Sequence, residues 1–130
     1  MHPTLRDAHD AFYAALNTML AGDSAPIEAL WSDRDDVTNL GPFVERSVGA
    51  EAVRAQFRAE AALGLGGEVV VTDLHVVEAG DMGYTTGVEN GTGHTGPDGR
   101  PLTLRHRVTN VFRREAGGWR LVHHHTDRAA

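Results

Sequence analysis

Apolar residues in the first half of the chain recur at helical spacing. Leu5, Phe12, Leu16, Met19 and Leu20 fall at three- and four-residue steps, with Arg6, Asp10 and Asn17 on other faces. Gly22 ends this helix. Ser24 as N-cap and Pro26 in the first turn start a short second helix that reaches Leu30 or Trp31. After a polar break at 33–36, residues 37–40 read as a short strand stopped by Gly41 and Pro42. A second long helix is expected over 49–62, with Ala50, Val53, Phe57 and Ala61 on one face, before Gly64, Gly66 and Gly67.

Beyond Gly67 the period becomes two. Strands are expected over 68–78, 82–92, 102–114 and 119–127, separated by turns at 79–81, 96–99 and 116–118, which makes an antiparallel meander. Helices first and strands later give an α+β fold with helices over one sheet face. In the strand at 102–114 the even residues Leu102, Leu104, His106, Val108, Asn110 and Phe112 contrast with Arg105, Arg107 and Arg113, so the even face should look inward. A two-residue turn at 116–117 pairs Phe112 with Leu121 and Asn110 with His123. That register sends Trp119, Leu121, His123 and His125 inward, and a slip by one residue would send His124 inward instead. Alternation likewise turns Tyr84 inward and Glu89 outward.

With 130 residues, the chain is sized for one domain. The net charge of -6 repels phosphate backbones, which argues against nucleic acid as a partner. There is no cysteine, hence no disulfide, thiol nucleophile or thiolate metal site. There is also no lysine, which excludes Schiff-base chemistry and a P-loop. Neither Ser24, Ser32 nor Ser47 lies in G-x-S-x-G. No run of eighteen apolar residues exists and the first twenty residues are amphipathic, so a cytoplasmic protein without membrane association is expected. Histidines (eight of them), carboxylates, Tyr13, Tyr84 and asparagine amides remain for chemistry.

His123 and His125 share a strand face in the expected register, with His106 on the neighbouring strand. Such a trio holds zinc in some enzymes; it also serves as a polar patch whose imidazoles are each hydrogen-bonded. The second reading is adopted, so no metal and no cofactor is expected. The stretch 91–96 matches G-x-G-x-x-G, but another strand rather than a helix follows, so it reads as hairpin punctuation. Asn39, Asn90 and Asn110 stand where alternation calls for apolar residues, which points to a polar-tipped pocket.

The order helix, helix, strand, helix and four strands, with Ala21, Gly22 and Asp23 closing the first helix, resembles the nuclear transport factor 2-like cone. That superfamily includes ketosteroid isomerase, SnoaL-type polyketide cyclases and limonene epoxide hydrolase. Gly99-Arg100-Pro101, the stretch 109–114, Gly117-Gly118-Trp119 and the stretch 122–125 are similar to the calcium/calmodulin-dependent kinase II association domain and its bacterial SnoaL-like relatives. The resemblance implies a cone-shaped, curved antiparallel sheet packed against the three helices of the N-terminal half, with a cavity between them. Aligned on Gly49, it puts Leu40, next to Asn39, where the isomerase has its catalytic aspartate. The isomerase's helix tyrosine falls near Ala15, two residues from Tyr13. Asn90 and Asn110 stand where the association domain has pocket arginines.

The combined expectation is acid–base chemistry on a small, mostly apolar molecule, of isomerase, cyclase or dehydratase type. His123 or His125 would be the base and Asn110 or Asn39 would hold an oxyanion. Tyr13, Tyr84, Asn90, His106, Val108, Phe112, Trp119 and Leu121 would bind the ligand, and Asn110→Leu should leave the fold intact or more stable. The alternative is a noncatalytic ligand-binding or dimerisation module. A homodimer is expected through an outer sheet face carrying Arg105, Arg107, Thr109, Val111, Val122 and His124.

Overall fold

Thr4 caps the first helix: its hydroxyl accepts from the Asp7 N–H at 3.0 Å, and α1 runs over Leu5–Leu20. The computed structural model describes residues 3–43, 45–116 and 118–129. Leu5, Ala8, Phe12, Ala15, Leu16 and Met19 form the buried stripe of α1. α2 (Ala25–Leu30) starts at Ser24, whose hydroxyl donates to Glu28 rather than capping the backbone. The strands β1 (Thr38–Leu40) and β2 (Ser47–Val48) precede α3 (Ala50–Ala62). Then follow β3 (Glu68–Ala79), β4 (Met82–Thr95), β5 (Pro101–Glu115) and β6 (Gly118–Arg128). β2 is two residues long, too short for alternation to reveal.

The fold is α+β, as expected, with three helices against one six-stranded curved sheet ordered β2-β1-β6-β5-β4-β3. The sheet is mixed rather than wholly antiparallel, because β1 runs parallel to β6. Register shifts in the β3–β4, β4–β5 and β5–β6 pairings add the bends that curl it round the helices. Phe12, Trp31, Phe57, Phe112, Trp119 and Leu121 anchor the core between sheet and helices. Among the described residues, no helix is long and apolar enough to cross a membrane.

Two face assignments are corrected. Phe112 does pair with Leu121, but Val111 pairs with His123, so Val122 is an extra residue in β6. This bulge reverses the alternation beyond it: Asn110 faces His124, not His123, and His124 is buried while His125 is exposed. Val122 itself packs in the core, so neither it nor His124 belongs to the outer face.

In β4 the inner face carries odd residues, because Gly83, Thr85, Glu89 and Gly91 stand opposite Phe112, Asn110, His106 and Leu104. Tyr84 and Asn90 therefore lie on the outer face, and Glu89 is inside. The inner face of β4 is rich in glycine where neighbours approach: a Cβ on Gly83 would stand 2.7 Å from a Leu5 methyl of α1, and one on Gly87 2.8 Å from a Val71 methyl of β3. The bulky residues are consequently left on the outside, which inverts the usual link between size and burial.

Candidate functional site

A polar row crosses the inner face of the sheet. Asn39 on β1 is level with His124 on β6, His124 is opposite Asn110 on β5, and Asn110 is opposite Thr85 on β4. All four are buried. Helix α1 adds His9, whose Nδ1 is 3.3 Å from the Thr85 hydroxyl, and Tyr13.

From this row a chain of hydrogen bonds runs one way. His124 Nδ1 and Asn110 Oδ1 are bonded at 2.5 Å. Asn110 Nδ2 donates to the Tyr13 hydroxyl at 3.0 Å, and that hydroxyl donates to Glu89 Oε2 at 2.7 Å. Since Asn110 Oδ1 is an acceptor, His124 must carry its proton on Nδ1, which leaves Nε2 as the lone-pair atom. Burial, reinforced by the charges of His123 and His125, drives His124 down to about 3, so it is neutral. Burial also raises Tyr13 well above its ordinary value, and the adjoining Glu89 charge adds to this.

At one side of the row lies a narrow cavity of about 40 Å³. Leu16, Leu20, Phe57, Val69 and Leu104 make its apolar wall; Asn39, Glu60, Glu89, His94, His106 and His124 are its polar tips. It is far smaller than the ~300–1,000 Å³ of a drug-sized pocket and suits a small molecule or the tip of a larger one. Glu60 comes from the buried stripe of α3 and accepts from Gln56 Nε2 at 3.0 Å. Both glutamates are 5% exposed. Burial pushes Glu60 to about 7. Burial likewise takes Glu89 to about 7: the Tyr13 hydrogen bond opposes the rise and the Glu60 charge adds to it.

Two polar groups on this wall have free valences. Asn39 is fully buried, yet among the described residues neither its Oδ1 nor its Nδ2 has a partner. His94 bonds the Gly66 carbonyl through Nδ1 at 2.7 Å, and its buried Nε2 has no partner. His94 stands so close over Gly91 that a Cβ there would clash with Nε2. Native proteins leave few buried polar groups unsatisfied; Trp31 Nε1, Trp119 Nε1 and Thr126 Oγ1 are also unpartnered among the described residues, but only Asn39 and His94 line the cavity.

Of the expected site residues, Asn39 and His106 line the cavity, while Asn110 and Tyr13 lie behind it in the hydrogen-bond chain. His123 and His125 do not face the cavity: His123 is half-buried and shares a 2.6 Å hydrogen bond with Thr38 Oγ1. Tyr84 and Asn90 are on the outer face, the latter's amide bonded to the Val70 carbonyl and Thr72. Phe112, Trp119 and Leu121 are core residues, and Val108 is buried, but none lines the cavity. Glu60, Glu89, His94 and His124 take their place. Glu60 had a signal: it falls three residues after Phe57 and seven after Val53, on the apolar stripe itself.

A curved sheet closed by helices round a polar-tipped cavity defines the nuclear transport factor 2-like class of cone. Within it, residues 5–126 match the SnoaL-like domain, and the chain belongs to that family. It is similar to a candidate calcium/calmodulin-dependent protein kinase type II association domain from Thiobacillus denitrificans, at 30% identity and a TM-score of 0.82. That match covers 100% of this chain and 98% of the other. A candidate dehydratase of the NTF2-like family from Streptomyces avermitilis is 28% identical, with a TM-score of 0.80, over 95% and 91% of the two chains. A ketosteroid isomerase-like protein from Erwinia carotovora shares the fold, with a TM-score of 0.81 at 19% identity over 97% and 94%. No curated protein matches the chain.

Proposed function

We propose that the protein binds a small, largely apolar molecule in the cone cavity and moves a proton on it, in chemistry of isomerase, cyclase or dehydratase type. The observation that carries this is the pair of buried carboxylates, Glu60 and Glu89, both poised near neutral pH on the wall that also presents the unpartnered Asn39 amide. A general acid or base works best when its pKa is close to the working pH. Two carboxyls that both titrate near neutrality on one wall supply one group to take a proton and one to give it. Asn39 Nδ2 is free to donate to a substrate oxygen on which charge develops. His124, held neutral, positions Asn110 and through it Tyr13 and Glu89.

Hydrogen–deuterium exchange at carbon next to a carbonyl tests this reading. A panel of small ketones, with and without an amino group, is incubated in D2O and followed by proton NMR. The expected result is catalysed exchange with at least one ketone, lost in Glu89→Gln. No exchange above buffer for the whole panel would contradict it.

The second reading, a noncatalytic assembly module, draws support from the outer sheet face. Tyr84 and Met82 are each 41% exposed there, and with Ala79 and Val111 they line an apolar groove. We propose that this face pairs two copies of the chain, whichever reading holds inside the cone. Sedimentation should give a dimer that Tyr84→Glu dissociates, and a wild-type monomer at micromolar concentration would count against it.

A further inference from the structure

The hydrogen-bonding capacity of the cavity wall is lopsided. Glu60 is bonded by the Gln56 amide and Glu89 by the Tyr13 hydroxyl, and a carboxylate has about four acceptor sites. His94 donates through Nδ1 to Gly66, so in its neutral form the unpartnered Nε2 is an acceptor. Asn39 Oδ1 is a further acceptor without a partner. Against these, the described wall offers two permanent donors, Asn39 Nδ2 and the single N–H of neutral His106. Among the described residues no arginine lines the cavity, and the chain has no lysine.

We propose that the cavity takes a small ligand whose head is a primary ammonium group carried on a short apolar body. This rests on the cavity being the ligand site. An ammonium has three donors and no acceptor, which complements the two carboxylates and either Asn39 Oδ1 or His94 Nε2. Its charge offsets that of the buried carboxylates, which are costly without a counter-charge. Leu16, Leu20, Phe57 and Leu104 accommodate the body. A carboxylate ligand would instead bring a third negative charge to a wall on which the described residues include no arginine. The titratable groups around the head are Glu60 from α3, Glu89 and His94 from β4, His106 from β5, His124 from β6 and Tyr13 from α1. Ammonium binding favours the ionised glutamates, so it releases protons and strengthens as pH rises through neutrality.

Calorimetric titration of the full chain with isobutylammonium, isobutanol and isobutyrate, at about pH 6 and about pH 8, tests this; the amine stays protonated at both, as a lysine does. Isobutylammonium should bind at least about tenfold tighter than isobutanol at the higher pH, and isobutyrate weakest. Its affinity should fall about tenfold at the lower pH, and about tenfold in Glu60→Gln and in Glu89→Gln. A cooperative melt of each variant shows that the fold is kept, and the dependence on pH in the wild type needs no variant. Isobutyrate binding as tightly as the amine, no amine binding at the higher pH, or an affinity for the amine independent of pH would overturn the inference. Exchange of plain ketones in a protein that refuses the amine would leave the proton-transfer reading standing and sink this one alone.

Discussion

Two neighbouring rows on the inner sheet face have opposite characters. Gly83, Phe112 and Leu121 lie level across β4, β5 and β6, with Trp31 bridged to Leu121. One step along the strands, Thr85, Asn110, His124 and Asn39 form the polar row, and the Val122 bulge separates the two on β6. The first row is packed against α1 and the other helices, and its side chains are fully or almost fully buried. The second is just as buried but leaves Asn39 unpartnered and leads through Tyr13 to a carboxyl at about 7. Burial in the first row stabilises the fold. Burial in the second costs stability, and what it yields is groups tuned to exchange protons near neutrality.

Truncation in the apolar row should have the largest effect. Phe112→Ala removes a fully buried ring and should cost about 3–5 kcal/mol in chemical denaturation. A loss below about 1 kcal/mol would mean that this row does not hold the fold.

Next comes a dependence on pH that belongs to the polar side. The folded-state pKa of Glu60 lies above its ordinary 4.5, at about 7, so the folded protein holds that proton more tightly than the unfolded chain. Its contribution is therefore full below about pH 4.5 and is lost as pH rises towards 7. Glu60→Gln has no such loss, and its stability relative to wild type should climb by about 3 kcal/mol across that window. His124 acts in the opposite sense, gaining stability for the fold as pH rises from about 3 towards 6.5. A constant difference between Glu60→Gln and wild type at all pH values would break the comparison.

Cutting the chain of hydrogen bonds should cost less. Tyr13→Phe strands Asn110 Nδ2, and Asn110→Leu strands both His124 Nδ1 and Tyr13. Each should destabilise by about 1–3 kcal/mol in urea denaturation, since a buried donor is left unmatched. This reverses the expectation for Asn110→Leu drawn from alternation alone, which knew of a buried amide but not of its two partners. The smallest effect is expected at Asn39: Asn39→Leu removes an amide that bonds nothing, so it should be neutral or stabilising by up to about 1 kcal/mol while removing catalysed exchange.

The contrast between the rows also explains what the sequence disclosed. Helix periodicity exposes α1 and α3, and Asn39, Asn90 and Asn110 stand out as polar groups in apolar positions, although Asn90 lies on the outer face; Tyr13 is pointed to by the resemblance. The β6 histidines were assigned to the wrong face because a single inserted residue, Val122, leaves no mark on a two-residue period. Alternation misplaces Tyr84 and Glu89 because Gly83, Gly87 and Gly91 leave the inner face of β4 short of bulky side chains, so side-chain size points outward. His94 was concealed in a glycine-rich stretch that reads as a turn, although β4 runs on to Thr95 through a bulge. Bulges and close helix–sheet approach are tertiary facts, and neither is written in local alternation.

The account's central claim is that Glu60 and Glu89 share one cavity in a state poised between protonated and ionised at neutral pH. Carbon-13 NMR titration of the glutamate side-chain carboxyls measures this without a substrate. The account predicts two carboxyls with midpoints near 7, assigned to residues 60 and 89 by their disappearance in Glu60→Gln and Glu89→Gln. Midpoints near the ordinary 4.5 for both would contradict it.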